Sequence, residues 1–237
     1  MLMADFFNII FSNWWGILLF VVFCLLVFFL LSAIFYKWFF KRIYDILFSL
    51  ILLIPFSLIF IVIAPIIYFT DKGPVFYNGE RLGKKGKVFK MLKFRSMRVN
   101  APDLRNSDGT TFNSETDPRV TKIGRFIRKT SIDELPQLLN VLFGSMSFVG
   151  PRPDLPDSIK LYDEETMQKL KVRPGITGYS QAKYRNTSTL EQRFGGDVYY
   201  VKHLSIWLDI KIIFMTLFSV LGRKNVYRND GEQNENK

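Results

Sequence analysis

The chain has 237 residues, is 49% hydrophobic and carries 24 Phe, yet its formal net charge is +11. One Cys and one His exclude an internal disulfide framework and a zinc cluster, and the single His203, read as structural, gives no support to a Ser–His or Cys–His catalytic machine. Lys and Arg are absent from 1–36 and 43–71, and 29 of the 32 basic residues lie from Lys72 onward, so a basic body joined to apolar segments is expected to meet anionic lipid or phosphorylated substrates; charge alone also admits nucleic acid.

Trp14 to Tyr36 is uncharged. As a helix it reaches roughly 34 Å, enough for a bilayer core of about 30 Å. Trp14 and Trp15 at one end, with Tyr36, Lys37 and Trp38 at the other, have the character of interfacial anchors. No basic residue precedes Lys37, so a cleaved signal peptide is not expected. Ile46 to Thr70 is a second uncharged stretch. Lys37, Lys41 and Arg42 before it and Lys72 to Lys90 after it are basic, which by the positive-inside rule places both flanks in the cytoplasm. Pro55 removes a backbone hydrogen bond near its middle, and Ser57 is available to re-satisfy a freed carbonyl. These features predict a broken, re-entrant helical hairpin over 43–69. A kinked second span is the alternative.

From Gly73 to Met97 the chain reads as strand, turn, strand, with Asn78-Gly79 and Leu82–Gly86 as turn signals. Lys93 and Arg95, two apart, are expected on one strand face. Residues 99–118 read as a loop, and Lys122–Lys129 has helical spacing. Thr130 with Asp133, and Ser131 with Glu134, have capping-box spacing, and Pro136 suits a helix start. The Asp133–Glu134 dyad is therefore expected at a helix N-terminus, where the dipole favours ionised carboxylates and phosphate oxygens. Ser205–Leu221 is an apolar helix, either on the membrane surface or docked on the polar body.

No Walker-type loop, Gly-x-Gly-x-x-Gly or His pair is present. What remains is carboxylates among cations. The loops Phe148–Pro153 and Val172–Gly178 each set an Arg beside Pro and Gly, a stiff setting for a guanidinium that grips phosphate.

Lys41–Asp45, Lys93–Met97, Gly124–Arg128, Ser131–Gln137, Val149–Pro153, Arg173–Gly178 and Tyr200-Val201-Lys202, in that order and spacing, resemble the bacterial sugar transferases, the monotopic phosphoglycosyl transferases. The resemblance implies a membrane-associated α+β protein. Its parts are a re-entrant broken helix (37–71) and a compact cytoplasmic catalytic domain with helices and a small β-hairpin (72–223); outside the resemblance, 1–36 is read as an N-terminal transmembrane helix and 224–237 as a polar tail. It implies a magnesium-dependent, two-step displacement at the inner membrane of a bacterium. Asp133 is the nucleophile and a metal ligand, and Glu134 is its partner. Arg128 binds phosphate, with Lys93, Arg95, Arg152, Arg173 and Arg185 as further phosphate or nucleotide candidates. The partners implied are a UDP-sugar, polyprenyl phosphate and membrane lipid, with no nucleic acid. The helix break of the family is Ser-Pro; here Pro55 precedes Ser57. Tyr184 stands where a Gly usually precedes Arg185-Asn186. The rival expectation is a non-catalytic basic scaffold that binds anionic lipid or a partner protein.

Overall fold

The computed structural model describes residues 13–104, 114, 116–184 and 188–221. Contacts divide the chain into two units, with the boundary between Ile43 and Tyr44. In the first, α1 (Trp14–Ile34) is apolar on every side and turns nearly all its large side chains outward. A helix of that kind suits lipid on all sides, and α1 is long enough to cross a membrane. Its buried Ser32 donates to Phe29 O at 2.8 Å. A single π-helical turn, Tyr36–Phe40, follows.

The second membrane-length helix, α2 (Lys41–Asp71), runs without interruption, with Pro55 and Pro65 inside it. The expected break therefore does not take the form of two separate helices. Pro55 has no N–H for the Ile51 carbonyl, but the Ser57 hydroxyl donates to Ile54 O at 2.6 Å, so it does not re-satisfy the carbonyl that Pro55 leaves open. Both ends of α2 are fastened to the same polar body. Near one end Asp45 accepts from Ser147 Oγ and Phe148 N, each at 3.0 Å. At the other, Asp71 accepts from both terminal nitrogens of Arg95 at 2.6 Å.

In the polar body β1 (Phe76–Leu82) pairs antiparallel with β2 (Val88–Phe94), Phe76 opposite Phe94 and Leu82 opposite Val88. Asn78-Gly79 lies inside β1 rather than in a turn. The reversal is made at Gly83–Lys87, where Lys85 (φ 61°) and Gly86 (φ 72°) take left-handed backbone. Then come α3 (Lys122–Lys129), a 3-10 turn (Ile132–Glu134), α4 (Gln137–Phe143) and β3 (Ser147–Val149). Beyond two further 3-10 turns, β4 (Gly175–Thr177) pairs in parallel with β3, an element the sequence reading lacked. Helices α5 (Tyr179–Tyr184), α6 (Leu190–Lys202) and α7 (Ile206–Leu221) complete it.

Three apolar clusters hold these parts together. Ile63 and Ile67 of α2 pack with Phe94 and Ile127, joined by Ile59, Phe60 and Ile132. Met91, Val141 and Met146 knit β2 to α4. Val149, Tyr200 and Ile212 seat α6 and α7 on β3. Thus α7 docks through Ile206 and Ile212 and leaves Trp207, Phe214, Leu217 and Phe218 exposed, which combines the two readings of that helix.

Candidate active site

Helix α3 begins where Thr121 Oγ1 accepts from Gly124 N at 2.9 Å. A Cβ at Gly124 would collide with the Ser96 carbonyl, so only glycine lets α3 lie this close to the end of β2. That approach brings Arg128 over Ser96, and Arg128 Nε donates to Ser96 Oγ at 2.8 Å. After α3 the chain turns sharply at Ser131, whose φ of 58° is left-handed. The capping-box expectation fails here: Ser131 makes no side-chain cap, and Thr130 Oγ1 donates back to Phe126 O at 2.9 Å. The dyad consequently lies in the tight turn before α4, with Pro136 between that turn and the helix.

Ile132 plugs the apolar cluster beneath the turn, and this sinks Asp133, which is 9% exposed. Glu134 stays partly in solvent and accepts from Lys93 Nζ at 2.6 Å. Burial pushes the Asp133 carboxyl up to about 6; the Glu134 charge adds to this, while Lys93 and Arg128 pull it down. The expectation of a carboxylate held firmly ionised by a helix dipole is corrected accordingly. Its charged form is penalised, and Lys93 and Arg128 moderate the penalty.

Lys93 is aimed by an unforeseen residue. Asn140 of α4 accepts from Leu92 N at 2.8 Å and donates to Lys90 O at 2.9 Å, clamping β2 beside the dyad. Asparagine amid the apolar run 138–143 is the signal for it, since a buried amide must find partners.

The remaining candidates fall into three groups. Arg95 lies just past the end of β2 and is bound by Asp71 and the Pro74 carbonyl, so it does not share a strand face with Lys93. Buried at 8% exposure with its guanidinium engaged by Asp71 at the end of α2, it serves as a bracket of the fold in this structure. Arg152 and Arg173 come together on the β3–β4 pair: Gly150 N donates to Thr177 O and Gly175 N to Pro151 O, both at 2.9 Å. Arg173 Nε also donates to Gly144 O at 2.8 Å, just past α4. Since α4 spans about 10 Å and starts directly after the dyad, Arg173 stands one short helix away from Asp133. Arg185 lies outside the described residues. His203 is exposed and stacked on Tyr199, with ring centroids 4.2 Å apart.

Among the described residues no three His, Cys, Asp or Glu side chains converge to hold a metal. A magnesium ion, however, is commonly bound by one or two carboxylates together with substrate phosphates and water. Asp133, with Glu134 beside it, fits an ion that arrives with a diphosphate.

Two membrane-length helices and an α+β body are joined here, and a buried aspartate among cations rests on the apolar cluster to which Ile63 and Ile67 of α2 belong. The chain belongs to the bacterial sugar transferase family, whose pattern it matches over residues 36–223. It is 45% identical over 196 residues to the UDP-glucose:undecaprenyl-phosphate glucose-1-phosphate transferase of Klebsiella pneumoniae, a match covering 79% of this chain and 41% of that protein. It is 41% identical over 206 residues to the undecaprenyl-phosphate galactose phosphotransferase of Salmonella typhimurium, covering 80% and 42%. With the exopolysaccharide production protein ExoY of Sinorhizobium fredii it shares 38% identity over 198 residues, covering 79% and 88%. The chain thus spans about two fifths of the Klebsiella and Salmonella proteins and most of ExoY.

Proposed function

We propose that the protein transfers a sugar-1-phosphate from a UDP-sugar to polyprenyl phosphate, an early membrane step in bacterial polysaccharide or glycoconjugate synthesis. The observation that carries this is the buried Asp133, flanked by Glu134, Lys93 and Arg128 and seated through Ile132 on the cluster formed by Ile63 and Ile67 of α2. A water-borne nucleotide and a lipid-borne phosphate can both reach such a place.

An Asp133 oxygen attacks the β-phosphorus of the donor. The bond from that phosphorus to the bridging oxygen breaks, and UMP leaves with the bond's electron pair. The sugar phosphate is then held on the carboxyl as an acyl phosphate, a group reactive enough to be passed on. A phosphate oxygen of the lipid attacks the same phosphorus, and the Asp133 carboxylate is released. Lys93 and Arg128 offset the charge that gathers on the phosphoryl oxygens, and Arg173 and Arg152 are the candidates for the nucleotide's phosphates. Asp133 would hold magnesium, which when bound would supply further charge neutralisation. We place the catalytic body on the cytoplasmic face of the inner membrane, with α2 entering and leaving by that face. The fastening of both its ends to one body supports this.

The test uses purified protein, magnesium, polyprenyl phosphate and a panel of UDP-sugars. Release of UMP and a phospho-sugar adduct on Asp133 are expected, and Asp133→Asn should abolish both. Full turnover by that variant would falsify the assignment of the nucleophile. A basic scaffold would consume no donor at all.

A further inference from the structure

A second set of charges, separate from the dyad and buried more deeply, surrounds Lys169. This lysine is 3% exposed, and its Nζ lies 2.6 Å from Asp154 Oδ2 and 2.6 Å from Asp197 Oδ2. Tyr162 donates to Asp154 at 2.7 Å and Ser180 to Asp197 at 2.8 Å. Arg193 Nη2 lies 3.5 Å from Asp154. The rings of Tyr162 and Phe194 flank the ammonium at 5.5 and 5.3 Å. Two cations thus face two carboxylates where water is excluded. Burial pushes the Asp197 carboxyl up. It pushes Asp154 up as well, but Lys169 and Arg193 outweigh it and hold Asp154 below its ordinary value.

Such a cluster adds little net stability over a well-packed apolar core, because desolvating the ions offsets their attraction. What it does supply is fixed geometry, and the geometry it fixes is the loop that carries Arg152. Asp154 lies two residues beyond Arg152, and its carbonyl accepts from Leu82 N at 2.8 Å. The Arg152 N–H points to Asp197 Oδ1 at 3.5 Å. Pro151 is fully buried, and its carbonyl is tied to Gly175. The loop is therefore held on three sides. Among the described residues, however, the Arg152 guanidinium makes no hydrogen bond or ion pair, and Arg152 lines a small cavity together with Asp154, Tyr162 and Lys169. A guanidinium on a backbone so firmly held is prepared for an anion from outside the chain.

We propose that Lys169, clasped by Asp154 and Asp197, is a positioning residue that holds Arg152 ready for the diphosphate of the nucleotide donor. This rests on the transferase reading. Lys169 itself touches no substrate and acts through Arg152.

The test is a double-mutant cycle. Lys169→Met/Asp197→Asn removes one cation and one carboxylate together, so no lone buried charge remains. The KM for UDP-sugar should rise about tenfold with kcat nearly unchanged, as for Arg152→Met, a displacement of the anion site that spares the chemistry. Adding Arg152→Met to the paired variant should then cost little more, because both lesions remove one function. The Kd for UDP, measured without turnover, should follow the same pattern. Independent, multiplying effects on Kd, or an Arg152→Met protein that binds UDP normally, would overturn the proposal. If wild-type protein binds UDP but consumes no UDP-sugar, the transferase reading fails alone, and the Kd cycle still decides the role of Lys169. If the paired variant does not fold, Tyr162→Phe and Ser180→Ala each remove one neutral donor. Smaller rises in Kd that vanish in an Arg152→Met background are then expected, and rises that persist there refute the coupling.

Discussion

The Asp133 carboxyl titrates near pH 6 because burial and the Glu134 charge outweigh the pull of Lys93 and Arg128. Its native pKa lies above the ordinary 3.8, so the native protein holds this proton more tightly than the unfolded chain. Stability from this source is complete below about pH 4 and is lost as pH rises through about 6. Asp133→Asn removes that loss. In metal-free detergent solution at pH 7.5 the variant should be more stable by about 3 kcal/mol, a gain that disappears near pH 4. Equal melting temperatures for the two proteins at pH 7.5 would refute the burial argument. In the proposed mechanism, where only the carboxylate attacks phosphorus, the same titration should give the rate an acid limb near pH 6. Lys93→Met removes the larger of the two opposing cationic influences, so its limb should move to higher pH. Stopped UMP-release assays across pH 5 to 8 would show it, and an unmoved limb would separate Lys93 from Asp133.

The elements around the site were legible to different degrees. The hairpin and α3 announce themselves by turn residues and by the spacing of Ile123, Phe126 and Ile127. The dyad, Lys93 and Arg128 were found because charged residues gather there in recognisable order. The β3–β4 pair was not found: three-residue parallel strands have too short a period to read, and backbone contacts between Gly150 and Gly175 create them. The pairing of Arg95 was missed for a related reason, since its partner Asp71 is 24 residues away and a sequence does not show which cations are already paired. The two roles can be told apart. Arg95→Met leaves the Asp71 carboxylate without its ion-pair partner at the end of α2 and should destabilise the fold by about 1–3 kcal/mol, with KM unchanged in the folded fraction. A raised KM at unaltered melting temperature would return Arg95 to the phosphate site. Gly124→Ala pushes α3 off the Ser96 carbonyl and parts Arg128 from Ser96. UMP release should fall by roughly tenfold or more while UDP binding persists. Normal turnover would mean that α3 has slack to move.

Across the whole molecule, the two long apolar helices and the distribution of charge were plain in the composition, whereas the path of α2 was not. Pro55 was taken for a break, yet the helix continues through it. Whether both flanks face the cytoplasm is open to labelling. In a Cys24→Ser background, Phe40→Cys and Lys84→Cys should both react with an impermeant maleimide only after the inner face is exposed; reaction of either from outside would refute the re-entrant path. Ile59, Ile63 and Ile67 belong at once to a membrane-length helix and to the packing that seats Ile132, next door to Asp133. Trimming the membrane region to obtain a water-soluble catalyst should therefore succeed for α1 and fail for α2, whose removal takes away the floor under Asp133. A soluble form would instead keep α2 whole and carry polar residues on its outward side, at Ile54, Leu58 and Ile61.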